Sequence, residues 1–179
     1  NFILLIGPGN NGKDGIICHY YLSQYGIRSK LFILDKNIIN DRIFKNYFIS
    51  KESILFVSDE FEYSLDNWYV DCMFGVGVNR SIKGRFKEVI KKIKNQSQVI
   101  SIDIPSGIYC DTGMMAGTAV IAKYTLTLGY PKWGHYFNNG VESVGDLHVL
   151  DIGFKPIAQS NNYVQLIELA DILSIAPSH

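Results

Sequence analysis

Polar residues that could bind ligands occur in three short segments, each at or just after the end of an apolar run. The segments are GPGNNGKDG at residues 7–15, VDCMFGVGVNR at residues 70–80 and SIDIPSG at residues 101–107. Together they offer amide, carboxylate and hydroxyl oxygens, which are the donors that hard cations prefer. We therefore predict a cation beside a nucleotide pocket, with candidate residues Asn11, Asp71, Asp103 and Ser106.

The glycine-rich segment at residues 7–15 fits two known phosphate-binding patterns. It contains G-x-x-x-x-G-K, but Asp14 stands where a P-loop needs a Ser or Thr hydroxyl for Mg²⁺, so a P-loop NTPase is disfavoured. It also contains G-x-G-x-x-G, with Asp35 at the end of the next apolar run, as in dinucleotide-binding folds. Asn10 and Asn11 make the loop unusually polar for that fingerprint. Four glycines, two Asn and one Asp at a helix N-terminus also disfavour a plain connecting turn.

The second and third segments each carry a carboxylate near the end of an apolar run. Asp71 is costly to bury unless it is paired or metal-bound, although a purely structural role in capping the next loop is an alternative. The backbone N–H groups after Asp71, together with Arg80, could meet a phosphate. Ser106 lies in PSG rather than in the G-x-S-x-G elbow of serine hydrolases, so that class is disfavoured.

These segments need strands and helices to bring them together. Apolar runs predict strands at Phe2–Ile6, Lys30–Leu34, Ile54–Val57, Trp68–Phe74, Val99–Ile104, Lys123–Gly129 and Asp146–Ile152. Helices are predicted at Asp14–Tyr25, Ile43–Ser50, Ile82–Lys94 and Tyr163–Ile175. Alternating strands and helices predict an α/β fold with a mostly parallel central sheet, in which ligands bind at the carboxyl ends of the strands.

Composition excludes several classes of protein. The 179 residues include 17 Lys+Arg and 17 Asp+Glu, so the chain lacks the basic excess of a nucleic-acid binder. No apolar run approaches the roughly 20 residues that span a bilayer, and no membrane association is expected. The three cysteines are too few for a disulfide framework and indicate a reducing, cytoplasmic compartment. The scattered histidines, without CxxC or HxxxH, disfavour a zinc site.

Four motifs in order resemble those of the NAD(P)H-hydrate epimerase family, also called the YjeF N-terminal domain family. They are GPGNNGKDG, VDCMFGVG, SIDIPSGIYCDTG and TLTLGYPKWGHY followed by GDLHVLDIG. The resemblance covers most of the chain and implies a Rossmann-like three-layer α/β/α sandwich. It implies an isomerase that interconverts the R and S epimers of hydrated NADH or NADPH (NADHX, NADPHX) in nucleotide repair. It further implies a bound potassium ion, a homodimer, and an ADP- or ATP-dependent dehydratase, fused or separate.

The resemblance also implies roles for individual residues. Asp103 would bind substrate and is the candidate for acid/base catalysis, while potassium would be held by Asn11, Asp71 and Ser106. The substrate would contact two loops, comprising Asn10, Asn11, Gly12, Lys13 and Asp14 in the first and Gly75, Val76, Gly77, Val78, Asn79, Arg80 and Ser81 in the second.

One residue departs from the family pattern. The family usually has NNGGDG, and Lys13 replaces its second glycine here. If that position needs a positive φ, the lysine adds strain of about 1 kcal/mol, and if it approaches the substrate, the side chain either obstructs it or contacts a phosphate. Lys132 in GYPKWGH matches a family lysine, as either a substrate contact or a surface turn residue.

The resemblance changes what the length means. We expect an epimerase-like Rossmann-type domain at residues 1–155 and a tail or helix at residues 156–179 that leads to a further domain. Family members carry about fifty more residues, mostly helical, before the strand that begins at Phe2, so the chain looks like an excerpt. Two alternatives to the epimerase stay open: a catalytically degenerate nucleotide-binding or interaction module of the same fold, and a Rossmann dehydrogenase domain.

Overall fold

A computed structural model describes residues 1–40, 42–47, 49–56, 64–94 and 98–154. These residues form one seven-stranded sheet with helices between its strands. The strands are β1 Phe2–Ile6, β2 Ser29–Ile33, β3 Ile54–Phe56, β4 Trp68–Cys72, β5 Val99–Ile102, β6 Tyr124–Leu128 and β7 Asp146–Leu150. The helices are α1 Asn10–Gln24, α2 Arg42–Asn46, α3 Gly84–Ile93 and α4 Asn139–Ser143, with short 3₁₀ turns at Lys36–Asn40, Lys51–Ser53 and Trp133–His135.

The strands lie in the order β3-β2-β1-β4-β5-β6-β7, and every pair of neighbours in this sheet is parallel. The chain therefore adds β2 and β3 on one side of β1. It then crosses back and adds β4 to β7 in order on the other side. Such a reversal opens a crevice at the carboxyl ends of β1 and β4, where open α/β sheets bind ligands. The predicted α/β fold with a parallel sheet is confirmed.

Two apolar clusters cover the two faces of the sheet, because the inner strands are buried on both sides. One contains Leu5, Tyr69 and Val99 packed against α3, and the other contains Leu4, Ile6 and Val70 packed against α1. α3 contributes Val89, Ile90 and Ile93. Their i, i+1, i+4 spacing places all three on the buried face and leaves the lysines outside.

All seven predicted strands occur, with ends that differ by no more than two residues. The predicted start of the first helix at Asp14 is wrong, because α1 already begins at Asn10, directly after Gly9 with φ 91°. The predicted helix at Ile43–Ser50 is shorter, at Arg42–Asn46. The predicted helix at Tyr163–Ile175 and the whole predicted tail at 156–179 lie outside the described residues. None of the helices in the described ranges is long and apolar enough to cross a membrane.

Candidate functional site

The carboxyl ends of β1, β4, β5 and β6 meet at one edge of the sheet, and the candidate residues converge there. Gly7 ends the β1 segment next to β4, where any side chain would collide with the carbonyl oxygen of Met73. Gly12 lies in the first turn of α1 and packs in the same way against the carbonyl of Gly7. Both glycines therefore serve close backbone packing, which brings the first turn of α1 against the end of β4.

Asp71 is completely buried in β4 and accepts four hydrogen bonds. Its Oδ2 accepts the Ser101 hydroxyl at 3.0 Å and the Ser106 N–H at 2.8 Å, and its Oδ1 accepts the Ser106 hydroxyl at 2.6 Å and the Met73 N–H at 3.2 Å. Register explains the first contact, because Asp71 pairs with Ser101 across β4 and β5. Burial raises the pKa of the Asp71 carboxyl, while the hydrogen bonds from Ser106, Met73 and Ser101 oppose that rise.

Asn11 lies next to this network, on the first turn of α1. Its amide Nδ2 donates to the carbonyl of Phe74 at 2.8 Å. The buried Oδ1 of the same side chain has no hydrogen-bond partner among the residues that the structure describes. A buried acceptor without a donor costs free energy unless something else, such as a cation, satisfies it.

The donor set around Asn11 fits potassium in type. Ser106 accepts the Phe74 N–H at 2.9 Å and lies 3.2 Å from the Phe74 carbonyl, so an amide, a hydroxyl and a carbonyl oxygen cluster beside the Asp71 carboxylate. Within the described ranges, no group of three or more His, Cys, Asp or Glu could hold a metal ion. A site with one carboxylate and otherwise amide, hydroxyl and carbonyl oxygens is compatible with the absence of such a group.

Asp103 follows β5 and has an unusual backbone, with φ of 70°. A non-glycine residue in this left-handed region costs roughly 1 kcal/mol and needs support from its surroundings. Its Oδ1 is bound by the Lys132 ammonium group and approached by the Leu128 N–H at 3.4 Å. Its Oδ2 points toward Gly75, since a Cβ built on Gly75 would lie 3.4 Å from that oxygen and 3.5 Å from the Cβ of Asn11.

Lys132 points inward, and its side chain is 20% exposed. Its ammonium group donates to Asp103 Oδ1, to the Thr127 hydroxyl at 2.8 Å and to the Leu128 carbonyl at 3.1 Å. Three acceptors match the three N–H donors of a lysine. The structure therefore places Lys132 against Asp103, and the surface-turn interpretation is wrong.

Asp14 lies one turn of α1 beyond Asn10 and is half-buried. Burial raises the pKa of its carboxyl, and the nearby negative charge of Asp103 raises it further. The same turn contains Lys13, which is absent from the residues with positive φ. Because Lys13 has a helical backbone, the predicted strain from replacing glycine does not arise.

The second predicted substrate loop lies beside these residues and is more open. Gly75 faces Asn11 and Asp103, whereas the rest of the loop runs outward. An open cavity of about 580 Å³ lies beyond it, lined by Val76–Asn79 from this loop and by 109–112 and Met114 from the next. Arg80 and Ser81 are exposed outside that lining. Asn11, Asp71, Asp103 and Ser106 are not among the residues that line this cavity.

Comparisons with known proteins place this arrangement in a family. The sequence profile of the family described as YjeF-related protein N-terminus matches residues 1–134. A protein of Weissella koreensis named NAD(P)H-hydrate epimerase is 32% identical over 169 residues, which cover 90% of this chain and 74% of that protein.

The chain belongs to the YjeF-related family.

Two longer relatives of this YjeF-related chain match it over most of its length but over a small part of their own. The bifunctional NAD(P)H-hydrate repair enzyme Nnr of Thermofilum pendens is 37% identical over 164 residues, 84% of this chain but 31% of the enzyme. The enzyme of the same name from Dictyoglomus turgidum is 37% identical over 90% of this chain and 32% of its own length. The chain therefore spans about a third of these two relatives.

A solved structure agrees with the family assignment at the level of the fold. The crystal structure of yeast YNL200c superposes with a TM-score of 0.66, covering 90% of this chain and 74% of the yeast chain at 18% identity. The YjeF-related chain thus has the Rossmann-like α/β fold that its motifs predict.

Three residues of the site were absent from the sequence-based list. Ser101 and Thr127 alternate with apolar neighbours inside β5 and β6, where a polar residue at an inward position could have marked them. His135 does not stand out in the sequence, because the four histidines are scattered along the chain. The spacing of three residues between Lys132 and His135, within one turn, was the available indication that they act together.

Proposed function

We propose that the chain is an NAD(P)H-hydrate epimerase that interconverts the R and S forms of NADHX or NADPHX. The observation that carries the proposal is Asp103, a carboxylate held at a strand end with one oxygen bound and the other directed toward Gly75 and Asn11. Support comes from the relatives named as epimerases, which this chain covers to about three quarters of their length.

Epimerisation at C6 of the hydrated nicotinamide ring requires the hydroxyl to leave and return, or the ring to open and close. Either route moves a proton, so a positioned acid/base is needed. In this proposal Asp103 exchanges that proton through Oδ2. The first turn of α1, at Asn10–Asp14, binds the substrate beside it, and the loop Gly75–Ser81 holds phosphate or ribose further out.

A potassium ion is part of the proposal. Asn11, Asp71 and Ser106 would hold it, and it would supply positive charge that offsets the buried carboxylate and the substrate pyrophosphate. The buried Oδ1 of Asn11, which lacks a donor in the described part of the chain, supports this assignment.

The compartment, oligomeric state and partner enzyme are also part of the proposal. We infer a cytoplasmic homodimer that works with an ADP- or ATP-dependent dehydratase. The two bifunctional relatives, of which the chain matches about a third, support a fused dehydratase.

The test supplies pure R-NADHX together with a dehydratase that consumes only the S epimer. We expect added protein to speed the loss of R-NADHX above its spontaneous rate. A rate that does not depend on protein concentration would overturn the proposal. Binding of NADP⁺ or ADP-ribose, without such acceleration, would instead identify a degenerate binding module.

A further inference from the structure

Asp103 is held from two directions by residues of a single short turn. The 3₁₀ turn Trp133–His135 follows Lys132 and lies beside the end of β6. Lys132 reaches the Asp103 side chain, and His135 reaches the Asp103 backbone.

The contacts of His135 define its protonation state. Nδ1 lies 3.0 Å from the backbone nitrogen of Lys132, and Nε2 lies 3.0 Å from the Asp103 carbonyl oxygen. A backbone N–H only donates, so Nδ1 accepts, and the carbonyl only accepts, so Nε2 must carry the proton. The ring is therefore neutral with its proton on Nε2, which agrees with a buried position that lowers the pKa of His135.

The backbone of Asp103 shows why such support matters. Its φ of 70° directs the carboxylate away from the path of a regular strand, and the left-handed conformation persists only when the surroundings impose it. The N–H of Asp103 is bound to the Leu126 carbonyl at 2.8 Å, which fixes one end of the residue. His135 fixes the other end, and Lys132 fixes Oδ1.

We propose that Lys132 and His135 are positioning residues that together hold Asp103 with its Oδ2 directed toward Gly75 and the first turn of α1. Neither acts on the substrate itself: Lys132 has its three donors engaged by protein acceptors, and both ring nitrogens of His135 are engaged as well. This inference rests on the proposed epimerase function. It assigns positioning roles to Lys132 and His135, and it assigns the Nε2-protonated tautomer to His135.

The kinetic test compares Lys132→Met and His135→Gln with the wild type in the coupled R-NADHX assay. A misplaced acid/base group slows the chemical step more than it weakens binding. We expect kcat to fall at least tenfold for each variant while KM changes less than threefold. The matched controls, Lys123→Met and His148→Gln, replace exposed residues and should retain wild-type kcat. Values of kcat within twofold of wild type for both Lys132→Met and His135→Gln would overturn the proposal.

A second measurement is independent of catalysis and of the fate of the variants. Nitrogen-15 NMR of the wild-type imidazole rings at neutral pH should show His135 neutral and protonated on Nε2. A proton on Nδ1, or a doubly protonated ring, would contradict the proposed clamp. If the wild type does not accelerate loss of R-NADHX, the proposed function fails, and this spectrum still tests the hydrogen bonds from His135 to Lys132 and Asp103.

Discussion

At the scale of single residues, Asn11 combines a satisfied amide with a buried oxygen that has no donor in the described ranges. If potassium binds that oxygen, the folded state gains stability by mass action, and a gain of 1 kcal/mol raises the Tm of a chain this size by about 2–4 °C. We expect Tm to be higher in KCl than in choline chloride at equal ionic strength, and Asn11→Ala to lose the difference.

The control for this prediction is Asn37→Ala, which alters an exposed asparagine elsewhere on the molecule. It should keep the potassium response of the wild type. Equal Tm values for the wild type in both salts would remove potassium from the proposal, and a full response in Asn11→Ala would remove Asn11 from the site.

Residue types alone predicted the oxygen-rich site, but they could not predict its internal contacts. Asp71, Asp103 and Ser106 each stand out at the end of an apolar strand in the sequence. The hydrogen bond between Ser106 and Asp71 depends on how β4 and β5 align. The ion pair between Lys132 and Asp103 depends on a turn that follows β6. Such contacts arise from the register of separate strands, and local sequence carries little information about them.

At the scale of elements, the first turn of α1 packs so closely on the β1 loop that Gly12 admits no side chain. Alanine normally favours a helix by about 1 kcal/mol over glycine. Here a Cβ would overlap the Gly7 carbonyl, and overpacking costs about 1–3 kcal/mol. We therefore expect Gly12→Ala to lower the free energy of unfolding, as measured by urea denaturation.

Gly77→Ala provides the matched comparison, because nothing lies within 4 Å of a Cβ added there. Its free energy of unfolding should stay within about 0.5 kcal/mol of the wild type. Gly12→Ala as stable as the wild type would show that α1 does not pack on β1 as the structure has it.

The positions of the strands were predictable because apolar runs of about five residues, bounded by polar turns, are too short for most helices and are typical of buried strands. The start of α1 was not, because glycine and asparagine ordinarily disfavour a helix interior. At Asn10–Gly12 the tertiary packing of two glycines outweighs that preference, and it draws the polar loop into the first turn of α1.

At the scale of the whole molecule, buried histidines make stability depend on pH. His19 is buried, with Nδ1 2.8 Å from the Ser29 hydroxyl, and burial lowers its pKa. Just below the unfolded-state value of about 6.5, the unfolded chain binds a proton that the folded chain does not. Stability therefore falls as pH drops through that region, by at most about 1.4 kcal/mol per pH unit for one proton.

We expect His19→Gln to reduce the slope of unfolding free energy against pH between about pH 6.5 and 5. His135 contributes in the same direction, since burial also lowers its pKa, so part of the slope should remain in His19→Gln. An unchanged slope in His19→Gln would contradict the lowered pKa of His19 in the folded protein.

The proposed epimerisation depends on one carboxylate, Asp103, which follows β5 and faces the first turn of α1. The most direct measurement is the rate of R-NADHX loss, coupled to an S-specific dehydratase, for wild type and Asp103→Asn. The amide keeps the size of the side chain but removes its acid/base function, and such functions contribute about 10²–10⁴-fold to rate. We expect Asp103→Asn to lose at least 100-fold of the protein-dependent rate while it retains a cooperative thermal transition. Full activity in Asp103→Asn would contradict the account.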